Sequence, residues 1–449
     1  MNKWIKAATI SLAVLAISAC GERKQNVAPE VQLADEEFID MMEKAHLMYM
    51  WEGACPNSGM APERIHMDGN YPQNDADVIA VGGSGFGIAG LIAGMDRGYI
   101  TREEGVARLR KIVDFLSTAD TFHGAFPHWI EDGTGHVRPF GKVDNGGDLV
   151  ETSFLMEGLL CARQYMNQDT VAERELAADI NRLWHSVEWD WYQRGTTDKL
   201  YWHWSPEYEW QINFAIEGYN ECLITYILGA SSPTHPINPE AYHKCWARGG
   251  SFVSGKEAYG LPLLLKYNGA EDYSGPLFWS HYSYIGLCPK GLKDRYVEYW
   301  PLVTNHSKIH YAYCVANPLK HYGYGPNCWG LTASYSPEGY AAHRPFGEDL
   351  GVITPTAALS SFPYTPEESL AAMRHFYYDM KDLIWGDYGF YDAFCQAKDW
   401  CPRRYLAIDQ CTITPMIENH RSGLLWKLFM SCPEVQEGLA KLGFTIENN

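Results

Sequence analysis

Acidic side chains are the main reactive groups of this sequence, and they fall in three clusters. In Asp144-Asn145-Gly146-Gly147-Asp148-Leu149-Val150-Glu151, acids recur at i, i+4 and i+7 where a glycine pair gives way to an apolar run. A helix through all three would turn them to one face. Asp148-x-x-Glu151 also fits a capping box, Asp148 as N-cap and Glu151 as N3, and capping does not stop either from lining a cleft. Asp144, outside that box, has less structural excuse. Glu221, in Gly218-Tyr219-Asn220-Glu221, is followed at once by the apolar run Cys222 to Leu228. Water-poor surroundings disfavour the charged carboxylate and raise its pKa, as a general acid near neutral pH requires. The structural alternative is a Glu paired with a basic residue. Asp409 lies in Leu406-Ala407-Ile408-Asp409-Gln410-Cys411, as a cleft acid or an N-cap, ahead of Glu418 and Arg421, whose spacing suits a helical ion pair.

The loops around these acids are rich in rings: Tyr201-Trp202-His203-Trp204, Trp279-Ser280-His281-Tyr282, His321-Tyr322-Gly323-Tyr324, Trp329 and Tyr388-Gly389-Phe390-Tyr391. Sugar rings present faces of C–H groups that pack on aromatic rings, while His and Asn bond their hydroxyls. Many of these rings must be core; the remainder would suffice for several sugar subsites. Tyr219, Asn220, Trp279, His281, Tyr282, Trp329 and Tyr391 are the candidate wall residues. Gly82-Gly83-Ser84-Gly85-Phe86-Gly87-Ile88-Ala89-Gly90 contains GxGxxG after an apolar run. No series of βαβ units follows it, so the small residues are read as a closely packed helix start that leaves Phe86 near the cleft.

Apolar residues at helical spacing predict helices over 38–50, 87–97, 102–117, 149–166, 172–189, 217–228, 366–383 and 412–429. Thr101 before Arg102-Glu103-Glu104, and Thr365 before Pro366-Glu367-Glu368, are start signals. About a dozen helices alternating with long aromatic loops suit an all-α (α/α)6 toroid whose inner helices surround a central cleft. A solenoid would show a period of 34 to 47 residues, and none is found.

The segments Gly218-Tyr219-Asn220-Glu221 with Ser232-Pro233-Thr234-His235-Pro236, Pro276-Leu277-Phe278 with His281-Tyr282-Ser283, Trp329-Gly330-Leu331-Thr332-Ala333-Ser334, Tyr388 to Phe394, Ile408-Asp409-Gln410 and Met416-Ile417-Glu418-Asn419 form a set. As a set they resemble the bacterial glycoamylase-like domain, whose secreted members include β-1,2-glucan-degrading glycoside hydrolases. The resemblance implies the toroid, an inverting hydrolase without metal or organic cofactor, an oligo- or polysaccharide substrate, and a cleft lined by Asp144, Asp148, Glu151, Glu221 and Asp409. The chain departs from the family's pattern at Cys411, at Cys395 and in Tyr335-Ser336-Pro337-Glu338-Gly339-Tyr340. In the expected mechanism one carboxyl protonates the departing oxygen. The other drives attack from the opposite face, through a water or a substrate hydroxyl, at a separation of roughly 6.5–9.5 Å. Glu221 is the expected acid; Asp148, Asp144 and Asp409 stay open as the base.

Composition narrows the classes. With 46% apolar and 14% aromatic residues the chain is not a disordered one, and 36 basic against 55 acidic residues would repel a phosphate backbone, so no nucleic-acid partner is expected. Lys3, Lys6, the apolar run 7–17 and Ile17-Ser18-Ala19-Cys20 read as a lipoprotein signal over 1–20. Its run is too short to span a membrane. The expectation is lipidation at Cys20, a polar tether over 21–35, a catalytic domain over 36–449, and a monomer held by its anchor in the cell envelope of a Gram-negative bacterium, periplasmic or at the outer-membrane surface. The eleven later cysteines form no CxxC framework, although Cys395 and Cys401 could pair. Three rivals remain: a non-catalytic glycan-binding lipoprotein, a polysaccharide lyase or sugar epimerase on the same toroid, and a nicotinamide enzyme.

Overall fold

In the computed structural model, which describes residues 32–166, 169–268 and 274–447, thirteen α-helices dominate the described residues. They are α1 Asp35–Trp51, α2 Val81–Arg97, α3 Arg102–Leu116, α4 Leu149–Tyr165, α5 Val171–Ser186, α6 Leu223–Ser231, α7 Tyr299–Ala316, α8 Pro355–Leu359, α9 Pro366–Tyr378, α10 Lys381–Ile384, α11 Ala407–Arg421, α12 Leu424–Met430 and α13 Pro433–Lys441. Residues 34–449 form one compact unit. The expected signal segment and Cys20 lie outside the described residues.

Two kinds of helix follow from two kinds of sequence. In α3 the buried residues are Gly105, Leu109, Ile112, Val113 and Leu116, and in α5 Leu176, Ala177, Ile180 and Trp184 recur at three and four, so each helix buries one stripe. By contrast α2, α6, α8 and nearly all of α4 and α11 are buried on every side. Helix α2 packs on α4, α11 and α1. Glycine sets how close it comes. A Cβ on Gly85 would lie 2.1 Å from the Phe154 carbonyl oxygen, and one on Gly158 would lie 2.0 Å from that of Gly85. The glycine-rich stretch is therefore the close crossing of two inner helices, and helical from Val81 onward rather than from Gly87.

Expected boundaries shift for local reasons. The helix expected from Glu217 starts at Leu223, because Gly218 has φ of 74° and the Asn220 side chain accepts from the Cys222 N–H. Gly423, with φ of 69°, separates α11 from α12 where one helix was expected. Thr101 caps α3 in a full capping box, whereas the Thr365 hydroxyl bonds Ser361 and Ser369 instead of capping α9. Helix α7 went unpredicted; its sequence mixes polar residues into an apolar face and carries Pro301 in its first turn.

The strands are short antiparallel pairs that pin loops to the ends of inner helices. Arg64–His66 pairs with Arg404–Leu406, Val78–Ala80 with Trp129–Glu131, Gly147–Asp148 with His203–Trp204, and Ala333–Ser336 with Gly339–Ala342. All eleven cysteines from Cys55 to Cys432 are free thiols, Cys395 and Cys401 included.

Candidate functional site

A cavity of about 790 Å³ opens where the starts of α2, α4 and α11 and the turn leading into α6 converge. Ala80, Val150, Glu151, Glu221, Leu406 and Ile408 come from those helix starts, and Phe278 and Tyr282 from 3₁₀ turns between α6 and α7. Trp129, Phe140, Trp202, Tyr335, Tyr340 and Trp400 supply aromatic wall from the paired loops.

Of the five expected acids, Glu221 and Glu151 reach this wall. Burial pushes the Glu221 carboxyl up to about 7, aided by the charge of Asp148, although a backbone N–H pulls the other way. No salt bridge reaches Glu221, so the expected alternative of a structural ion pair is not found among the described residues. Glu151 is raised by burial too, against the pull of His128 and of the Gly82 N–H, which donates to its Oε2 at 2.7 Å.

The other three acids stand behind the wall. Asp148 is fully buried and N-caps α4: its Oδ1 accepts from Val150 and Glu151, both at 2.9 Å, and its Oδ2 lies 2.9 Å from His128 Nδ1. The Glu151 side chain turns to α2 instead of closing the capping box. Burial alone would lower the His128 pKa, but Glu151, Asp148 and Asp144 together lift it to about 10, so a positive imidazolium faces the cavity. Asp144 precedes the helix, off the shared face; burial, then the charge of Asp148, pushes it up to about 6. His203 Nε2, 3.4 Å from Asp144 Oδ1, already accepts the Gly146 N–H and has no proton there to donate. Asp409 is buried in the first turn of α11, whose N-cap is Leu406, so the expected N-cap role is corrected. Tyr282 donates to its Oδ1 at 3.3 Å, and its carboxyl bonds that of Asp392, which raises it well above the ordinary range after burial has done so first. Two buried carboxyls that hydrogen-bond each other hold a proton between them.

Among the expected substrate contacts, Tyr282 lies on the wall and seven do not. Phe86 is fully buried and packs behind Phe154 and Tyr282. Tyr219 bonds Tyr284 and the Trp279 carbonyl, Asn220 caps Cys222, His281 bonds Ser361, and the Trp329 indole donates to the Glu368 carbonyl. Trp279 stacks on Tyr267, and Tyr391 packs against Tyr405. The polar groups of Tyr219, Asn220, His281 and Trp329 thus satisfy the protein's own groups, which keeps these four off the cavity wall. Conversely, Glu63, Arg64, His128, Trp129, Phe140, Tyr335, Tyr340 and Arg404 line the cavity unforeseen. Arg64 bridges Glu63 at 3.3 Å and Asp75 at 3.2 Å. The only signal for them was charged and aromatic residues in short strands without helical spacing, as in Glu63-Arg64-Ile65-His66. The expected pairing of Glu418 with Arg421 is also corrected: Glu418 bonds Arg97, and Arg421 bonds Glu43.

The family described as “Putative glucoamylase” matches residues 213–433. An exo β-1,2-glucooligosaccharide sophorohydrolase (non-reducing end) of Parabacteroides distasonis is 44% identical over 430 residues, which take in 91% of this chain and 58% of the relative. The chain thus spans less than two thirds of that curated relative. The structure of an endo-β-1,2-glucanase from Chitinophaga pinensis, in complex with sophorotriose and glucose, is 59% identical, with a TM-score of 0.91 over 92% of this chain and 99% of the other. A β-1,2-glucanase structure from Parabacteroides distasonis is 44% identical with a TM-score of 0.87, covering 92% of this chain and 60% of that one.

Proposed function

The chain belongs to the glycoamylase-like family, and from that premise we propose that it is an inverting glycoside hydrolase that cleaves β-1,2-linked glucan or its oligosaccharides. One observation carries the reading: Glu221, a carboxyl pushed up to about 7 with no salt bridge among the described residues, lines an aromatic cavity whose wall also holds a second acid, Glu151. Glu221 gives its proton to the departing glycosidic oxygen. Glu151 takes a proton from the water that attacks the anomeric carbon on the far face, so water's hydroxyl ends on one sugar and Glu221's proton on the other. His128, held by Asp148, keeps Glu151 from being too weak an acid to serve. Asp148, Asp144 and Asp409 then act through their neighbours rather than on substrate.

Finer expectations belong to the same proposal. The helices buried all round, α2, α4, α6, α8 and α11, alternate along the chain with one-sided ones, as an (α/α)6 toroid requires, and the 3₁₀ turns at 277–284 fill the remaining inner place. The pattern at 3–20 supports lipidation of Cys20 and anchoring in the cell envelope. The testing experiment incubates the protein with linkage-defined glucans and follows the products by anomeric NMR. β-1,2-Glucan should yield α-anomers first. Initial β-anomers, or no release of reducing sugar, would overturn the reading.

A further inference from the structure

A second aromatic hollow, of about 530 Å³, lies outside the cleft and is lined by Glu188, Asp190, Trp191, Arg194, Trp210 and His235. Trp191 is 39% exposed, an uncommon position for so large an apolar ring. It is also held rigidly. The His123 ring stacks on it at 3.6 Å and 14°, and Glu188 fixes that imidazole at 2.9 Å from Nδ1, while Trp204 meets Trp191 edge-on at 5.8 Å. With His123 covering one face, Trp191 shows its other side to the hollow, where Trp210 lies 29° from parallel at 6.4 Å.

The polar rim narrows the ligand. Glu188 and Asp190 would repel an anion. The place a cation would take over an indole is already filled by Arg194, whose guanidinium lies 5.6 Å from the Trp210 ring and 5.7 Å from Tyr201. What fits is a neutral ligand with an apolar face and many hydroxyls, bonded by carboxylates, a guanidinium and His235. One strap of chain contributes side chains to both places. Trp202 lines the cleft, Trp204 braces Trp191, and Trp210 walls the hollow.

We propose that this hollow is an auxiliary glycan site that holds a part of the glucan chain distant from the bond being cut. The inference rests on the glucanase reading and adds to it a preference for long chains. A short oligosaccharide occupies the cleft alone, whereas a long one can engage both places, so that the second contact becomes intramolecular.

The test measures KM for long β-1,2-glucan and for a β-1,2-linked trisaccharide in the wild type, in Trp191→Ala and in Asp190→Ala. Asp190 is an exposed side chain whose loss spares the packing. Loss of one stacking contact should raise the ratio of polymer to trisaccharide KM about fivefold. A rise in either variant supports the site, and an unchanged ratio in both overturns it. If the wild type cleaves neither substrate, the glucanase reading has failed and the auxiliary site falls with it, a result distinct from active protein with an unmoved ratio.

Discussion

The two ends of α11 bury carboxylates in opposite ways. At its start, Asp409 is buried against a tyrosine hydroxyl and the carboxyl of Asp392, and among the described residues neither it nor Glu221, on the cavity wall, has a bonded cation. At its far end, Glu418 is equally buried but takes two bonds from Arg97, at 2.6 and 3.1 Å, and one from Ser422. Beside it Arg421 bonds Glu43 at 2.5 Å and Asp40 at 3.2 Å, tying α1 to α11. Burial alone therefore does not mark a working acid. A buried carboxyl bonded by a guanidinium ties helices together even where, as at Glu43, burial and the charge of Glu418 push it up to about 8, whereas Glu221 has no guanidinium to hold, lines the cavity and can give its proton away.

The sharpest way to break this contrast is to neutralise the uncompensated acid Glu221 and, separately, to take the guanidinium from Glu418. Glu221→Gln should lower kcat on β-1,2-glucan about 10²–10⁴-fold, the usual range for a lost general acid. Reducing-sugar assays within about tenfold of wild type would remove Glu221 from the mechanism. At the other end, Arg97→Ala leaves Glu418 without its guanidinium and should cost about 3 kcal/mol of stability in denaturant unfolding, with kcat little changed. A large loss of kcat with wild-type stability would mean that the two ends share one role.

Stability against pH separates the ends further. The folded state binds the Glu221 proton more tightly than the unfolded chain does, its pKa standing at about 7 against the ordinary 4.5. That contribution is fully present below pH 4.5 and is lost as pH rises through about 7. A glutamine stays neutral throughout, so Glu221→Gln should melt above wild type at pH 8 and with it at pH 4. Equal melting at both pH values would show that the carboxyl is solvated. Activity should fall on the same alkaline side in the wild type, because the acid has given up its proton before substrate arrives.

What was legible in the sequence follows the same division. Helices with one apolar stripe announced themselves by spacing, and Glu221 did so because a charge stands directly before an apolar run. The inner helix α2 was half hidden, since its glycines signal a loop until the crossing with Gly158 shows what they are for. His128, Glu63 and Arg64 were not legible at all. They reach the cavity from three-residue strands or the residue just before one, and the strands' partners lie far away in sequence, as Leu406 does from Arg64. The aromatic motifs misled for a related reason: composition shows that a ring is present, but whether its hydroxyl or indole N–H bonds the protein or a ligand depends on pairings such as Tyr219 with Tyr284.

The smallest expected effect tests the Asp392–Asp409 pair and decides whether Asp409 touches the chemistry. Asp392 Oδ2 accepts the Tyr335 N–H at 3.0 Å, and its other oxygen faces Asp409. In Asp392→Asn the amide oxygen can keep the Tyr335 bond while its NH₂ donates to Asp409, so the shared proton is no longer needed. Because the wild-type pair binds that proton more tightly folded than unfolded, it loses stability as pH rises from the ordinary carboxyl range towards neutrality. The variant should therefore show a flatter melting curve against pH, with a gain of about 2 °C at pH 8. If Asp409 only holds Tyr282 in the wall, kcat should stay within about threefold of wild type. If Asp409 is the base, a permanent donor makes it a weaker one with a lower pKa, so kcat should fall on the alkaline side while the acid limb of the profile moves to lower pH. That outcome would move the base from Glu151 to the start of α11.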